Sequence, residues 1–139
     1  MSVIIALSMM HQSLSSVLKT YGLKKLQIGY SDKNPKYHMP STHAEVNALN
    51  KIIKWTAVPK CINILVVRIN VHGTFVNSMP CLHCIKYILR KCKQIKINCI
   101  YYSNAQGIID CIKISDIRHL NDKDLKKMFN VSFGSKCYF

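Results

Sequence analysis

The sole glutamate of this chain lies in the run Thr42-His43-Ala44-Glu45, and a second polar cluster follows at Met79-Pro80-Cys81-Leu82-His83-Cys84. One imidazole and two thiolates, from His43, Cys81 and Cys84, can hold a zinc ion and leave its fourth position open to water. Such an ion lowers the pKa of its bound water to about 7. Glu45 stands two residues beyond His43, so it points in a different direction and need not be a ligand. Its carboxylate is free to take a proton from that water and return it to a substrate. The pattern thus reads as metal-assisted hydrolysis, with Glu45 catalytic and His43, Cys81 and Cys84 on the metal.

Each half of the pattern has a plainer alternative. Thr42-x-x-Glu45 also fits a capping box, which gives Glu45 a purely structural task. Cys81-x-x-Cys84 alone is also a redox pair or half of a structural zinc site, which Cys92 or Cys111 can complete. Both halves in this order, each at an expected helix start, favour the chemical reading. His38, His72, His83 and His119 are not needed as ligands.

The elements that must position these residues can be read from periodicity. The apolar run 3–10 reads as a first helix or strand, and residues 2–12 can form a first helix. Residues 15–20 and 23–30 look like two strands around the turn Tyr21-Gly22. Residues 31–40 are rich in turn formers and lead into the histidine element. Ser41 or Thr42 can cap a helix running to about Trp55, with Val46, Leu49 and Ile53 on its apolar face. Cys61 to Ile69 is almost continuously apolar and β-branched, as a strand buried on both faces would be.

Residues 71–78 form a loop or small hairpin around Gly73. Pro80 suits the first position of a helix, which puts Cys81 and Cys84 in its first turn, three apart on one face. The positive end of the helix dipole there favours thiolates. That helix buries Leu82, Ile85, Ile88, Leu89 and Cys92 and exposes Lys86, Arg90 and Lys93. Residues 97–102 and 108–114 are strands, and the short link Ser103–Gly107 predicts an antiparallel hairpin. Residues 116–129 read as a last basic helix. Cys61, Cys92, Cys99 and Cys111 fall in apolar patterns and are expected in the core.

Composition bounds the rest. A chain of 139 residues, 49% hydrophobic, fits one domain over 1–139. No apolar run approaches the roughly 20 residues of a membrane span. Seven cysteines and no secretory pattern imply reduced thiols and a cytoplasmic, intracellular protein. The formal charge is +14, from 20 Lys+Arg against 6 Asp+Glu. It implies attraction to phosphates, and to nucleic acid through Lys86, Arg90, Lys93, Lys96, Lys123, Lys126 and Lys127. A general bias of the chain toward Lys, Asn and Ile accounts for the same excess.

At the residues quoted above the chain resembles the cytidine deaminase-like superfamily. His43-Ala44-Glu45-Val46-Asn47-Ala48-Leu49 is similar to the His-Ala-Glu-x-x-Ala-Leu run of deoxycytidylate and related deaminases. Val66-Val67-Arg68, Asn77-Ser78-Met79-Pro80-Cys81 and Ile100-Tyr101-Tyr102-Ser103 follow in the family's order. The resemblance covers roughly residues 1–115. It implies a three-layer α/β/α fold on a mixed five-stranded sheet, with zinc between two helices on one face. It further implies hydrolytic deamination of cytidine, deoxycytidine, CMP or dCMP, and a homo-oligomer.

The family's sugar-binding Asn after the second strand is missing here. Ser31 follows Tyr30, and Asn34 is the nearest Asn. The resemblance places substrate contacts at Ser31, Asn34, Ala44, Ser78 and Pro80. The hairpin resembles deaminases of free cytidine, whereas the histidine ligand resembles the nucleotide and polynucleotide deaminases. Deamination within RNA or single-stranded DNA, and a non-catalytic zinc-stabilised nucleic-acid-binding domain, are the alternatives.

Overall fold

Cys61–Ile69 is the central strand of a mixed α/β structure. The computed structural model describes residues 2–8, 24–30, 43–54, 61–70 and 72–130. The strands are β1 (Ser2–Ser8), β2 (Lys24–Tyr30), β3 (Cys61–Ile69), β4 (Phe75–Val76), β5 (Lys96–Ser103) and β6 (Ile109–Lys113). The helices are α1 (Ala44–Ile53), α2 (Leu82–Lys91), α3 (Ile114–Ile117) and α4 (Asp122–Met128). The six strands, one more than the expected five, form one mixed sheet in the order β2-β1-β3-β5-β6, with the two-residue β4 pairing β3 off this path.

The pairs β2–β1, β1–β3 and β3–β5 are parallel, and β5–β6 is antiparallel. This geometry places the site. Helix α1 connects β2 to β3, and α2 connects β3 to β5. A crossover between parallel strands must carry the chain back along the sheet. Both helices therefore run against the strands, and both begin at the strands' carboxyl ends, where open α/β sheets bind ligands.

One face of β3 presents Ile62, Ile64 and Val66 to a single core shared with Ala48, Leu49 and Ile52 of α1 and Leu82, Ile85 and Ile88 of α2. Leu65, Val67 and Ile69 on the other face are buried too. The two-sided burial expected of this strand is observed. Asn63 interrupts the apolar run and is buried. Its place is explained by a bulge: Ile62 pairs with Ile97 but Ile64 pairs with Ile100. One extra residue in β5 strands a backbone N–H. The Cys99 N–H donates instead to Asn63 Oδ1 at 3.2 Å. The bulge also turns Ile97 and Ile100, three apart, to the same core.

Several expectations are corrected. Residues 2–8 are a strand, not part of a helix. Their run is too short for periodicity to separate a buried strand from a helix. Strand β2 lies where the second strand of the N-terminal hairpin was expected, but its described partner is β1, in parallel. The hairpin's first strand, residues 15–20, lies outside the described residues, as do Ser41 and Thr42. Helix α1 buries Ile52, and Ile53 is half-exposed. The last helix is two helices, because Asn121 starts a new one by accepting from the Asp124 N–H at 3.0 Å. Cys111 is exposed, and Cys61, Cys92 and Cys99 are only partly buried, where all four were expected in the core.

Other expectations are met. The Gly73 turn closes a β3–β4 hairpin, with Gly73 at φ +79°. The link after β5 is a tight turn, with Gly107 at φ +77° and Asn104 Oδ1 accepting from the Gln106 and Ile108 N–H groups. In α2, Leu82, Ile85 and Ile88 are buried, and Leu89 and Cys92 pack partly buried against the core.

Candidate metal centre

His43 and Cys81 occupy equivalent places. Each is the N-cap of its helix in extended backbone, and neither side chain makes a capping hydrogen bond. Helices usually begin on Ser, Thr, Asp or Asn, whose oxygen accepts from an orphan N–H. Both helices forgo that bond. Their first side chains turn toward each other instead. The His43 Nδ1 lies 3.5 Å from Cys81 Sγ and 3.1 Å from Cys84 Sγ. The ligand atoms of the three residues all lie within 4.8 Å of one another.

These donors fit a metal ion. A tetrahedral zinc ion, with Zn–S of about 2.3 Å and Zn–N of about 2.0 Å, holds its donors roughly 3.5–3.8 Å apart. Two thiols and an imidazole suit zinc, and they suit other thiophilic ions as well. Cys84 is buried, while His43 and Cys81 are half-buried. Among the described residues neither Cys92 nor Cys111 joins the group. A fourth cysteine from either position is thereby set aside.

Glu45 is the second helical residue of α1 and is buried. The cap is His43, so Glu45 does not hold the third-residue position that a capping box requires. Burial pushes its carboxyl above the usual carboxylate range, opposed by the hydrogen bond from its own N–H, by the His43 charge and by contact with the Cys84 thiol. The hydrogen bond with Cys81 raises the pKa of His43, although burial works against it. A carboxyl that holds its proton more tightly than usual, touching the thiol of Cys84, is well placed to give and take protons.

Two features hold the helices in place. Tyr87 of α2 donates its hydroxyl hydrogen to Asn50 Oδ1 of α1. The Leu82 N–H at the start of α2 donates to the Asn130 carbonyl at 3.0 Å, tying the end of α4 beside the cysteines. Periodicity marks neither contact, since both depend on how distant segments meet.

Of the expected substrate contacts, Ala44 is the buried first residue of α1 and Pro80 is buried next to Cys81. Ser78 lies on the loop before Pro80 with its hydroxyl against the sheet backbone. Ser31 and Asn34 lie outside the described residues. No described helix is long and apolar enough to cross a membrane. Comparison with protein-family models, curated proteins and solved structures returned no match.

Proposed function

We propose that this chain is a zinc-dependent hydrolase that deaminates cytosine in a nucleoside or nucleotide, giving the uracil product and ammonia. The observation that carries this is the buried Glu45 carboxyl against the His43, Cys81 and Cys84 group. The resemblance of His43-Ala44-Glu45 and Pro80-Cys81-Leu82-His83-Cys84 to the cytidine deaminase-like superfamily supplies the reaction class.

His43, Cys81 and Cys84 would hold the zinc ion. The ion would supply Lewis acidity and lower the pKa of water at its open position. Glu45 moves the protons. As a carboxylate it takes one from the attacking water. As a carboxylic acid it delivers one to the ring nitrogen and assists departure of the amino group. A raised pKa suits a group that must hold a proton in one step and release it in the next. Met79, an exposed apolar residue two positions before Cys81, would offer an apolar contact to a base. The reading includes a cytoplasmic, self-associating protein.

A second reading, deamination within RNA or single-stranded DNA, has one observation in its favour. Arg90 and Lys93 after the ligand turn of α2, and Lys126 and Lys127 on α4, are exposed, and the Asn130 contact brings α4's end to the site. Asp122 offsets part of this charge through Lys86 and Lys126.

Ammonia release by the zinc-loaded protein tests both. The substrates are cytosine, cytidine, deoxycytidine, CMP, dCMP, guanine, adenosine and a cytosine-bearing oligonucleotide, with Glu45→Gln as control. Turnover of a cytosine mononucleoside or mononucleotide, lost in the variant, supports the main reading. Turnover of the oligonucleotide alone, with binding that falls steeply with salt, supports the second. A zinc-loaded protein silent on all of them overturns both in favour of a zinc-stabilised binding domain.

A further inference from the structure

Three residues before Cys81, the hydroxyl of Ser78 meets that of Ser103 at the end of β5, 2.7 Å away. Ser103 is completely buried. The Ser78 hydroxyl reaches the Val66 carbonyl of β3 at 2.7 Å, and the Ser103 hydroxyl reaches the Val76 carbonyl of β4 at 2.6 Å. The backbones close the ring. The Ser103 N–H donates to Ser78 Oγ at 2.9 Å, and the Ser78 N–H donates to the Ser103 carbonyl at 2.8 Å. The Arg68 N–H also points at Ser103 Oγ, at 3.5 Å. Residue 78 is thus fastened to β3 and β5 directly, and to β4 through Ser103.

Two hydroxyl protons serve three short oxygen–oxygen contacts here, so neither serine alone can satisfy the cluster. Removing either hydroxyl leaves buried acceptors short of a donor. The path from this clasp to the metal centre is short and stiff. Pro80 has a fixed φ and restricts Met79 before it. Only these two residues separate Ser78 from the Cys81 thiol. Ligand placement at Cys81 therefore depends on where Ser78 is held.

We infer that the Ser78–Ser103 hydroxyl pair is a positioning device for the metal centre, setting the Cys81 thiol against His43 and Cys84. Ser78 and Ser103 are positioning residues here, acting through Cys81 rather than on the ion. The inference rests on the metal reading of His43, Cys81 and Cys84.

Cobalt(II) binding by the metal-free protein tests it, because the sulfur-to-cobalt charge-transfer band reports thiolate ligation directly. Ser78→Ala and Ser103→Ala are compared with Ser78→Thr, which keeps the hydroxyl, and with Ser115→Ala, whose exposed hydroxyl bonds Asp116. Circular dichroism confirms that each is folded at the titration temperature. Ser78→Ala, at a half-buried position, serves where the completely buried Ser103→Ala does not fold. The alanine variants should bind cobalt about tenfold or more weakly, with an altered band, while Ser78→Thr and Ser115→Ala match the wild type. Folded alanine variants with wild-type affinity and spectrum overturn the positioning role. A wild type without any sulfur-to-cobalt band overturns the metal reading itself, and this inference with it.

Discussion

The His43 Nδ1 lies 3.1 Å from Cys84 Sγ across 41 residues of sequence. That proximity follows from topology. Both crossover helices run back against the parallel strands, so their first turns come together at the strands' carboxyl ends. The N-cap positions that would normally carry a small polar residue carry His43 and Cys81. Neither side chain makes a capping bond, and both face the candidate metal group instead.

Replacing Cys84 by serine should abolish tight metal binding. Ligands in the next shell typically contribute about 10–100-fold to affinity, and a direct thiolate contributes more. Cys84 is the most buried of the three, so no water easily takes its place. Zinc content after dialysis against a weak chelator should fall from near stoichiometric to background. Retention of wild-type zinc by Cys84→Ser would exclude this residue as a ligand.

Glu45→Gln should leave metal content unchanged and lower turnover in the proposed deamination by about 100-fold or more, the usual loss for a general acid–base group. The same variant should change how metal-free stability depends on pH. Burial raises the folded-state pKa of Glu45. Its contribution is then complete below the ordinary carboxylate pKa and is lost as pH rises through the raised folded value. The raised pKa of His43 acts in the same direction at higher pH. Urea denaturation of metal-free wild type should show stability falling across the acid window, and Glu45→Gln should lack that part of the slope. Parallel curves would deny Glu45 its buried, proton-holding state.

The parts of this arrangement that depend on local chemistry were legible from the residues alone. The apolar spacing of Leu82, Ile85 and Ile88 announces the helix that brings Cys81 and Cys84 together, but that helix begins at Leu82 with Cys81 as its cap, so Pro80 precedes the cap instead of opening the first turn. The β-branched run of β3 announces a strand buried on two faces. What depends on distant pairing was not legible. A short apolar stretch such as Val3–Leu7 serves as helix or strand, and only its alignment between β2 and β3 decides. Asn63 reads as a break in a strand until the Cys99 N–H freed by the bulge supplies its partner. Helices α3 and α4 read as one because their charges hide the capping by Asn121.

Metal uptake should release protons. The thiols of Cys81 and Cys84 must ionise, and His43, whose proton is held by the neighbouring Cys81, must be neutral to donate its lone pair. Affinity should therefore fall as pH is lowered through and below the imidazole range. Calorimetric zinc titrations in buffers of different ionisation enthalpy should give heats that scale with the buffer. Buffer-independent heats would mean that these groups do not ionise on binding.

The Asn63–Cys99 contact should be separable from the metal centre. Asn63→Leu keeps the size of the side chain but leaves the Cys99 N–H without its acceptor inside the sheet. A buried donor left unsatisfied costs about 1–3 kcal/mol. Urea denaturation should show a loss in that range, with cobalt affinity unchanged. A loss of cobalt affinity in the folded variant would place Asn63 in the support of the site.

Cys81→Ser should move stability and metal affinity in opposite directions. Serine is among the best N-cap residues, and a good cap is worth about 0.5–2 kcal/mol. Its hydroxyl can accept from an N–H of the first turn of α2, a bond that Cys81 does not make. The Ser78–Ser103 clasp and Pro80 are untouched, so the backbone presents the new oxygen where the thiol stood. Metal-free Cys81→Ser should therefore unfold at higher urea concentration than metal-free wild type. It should bind cobalt far more weakly, because one thiolate is gone. A variant less stable than the wild type without metal would mean that the thiol contributes to folding by itself. The uncapped helix start would then not be a concession to metal binding.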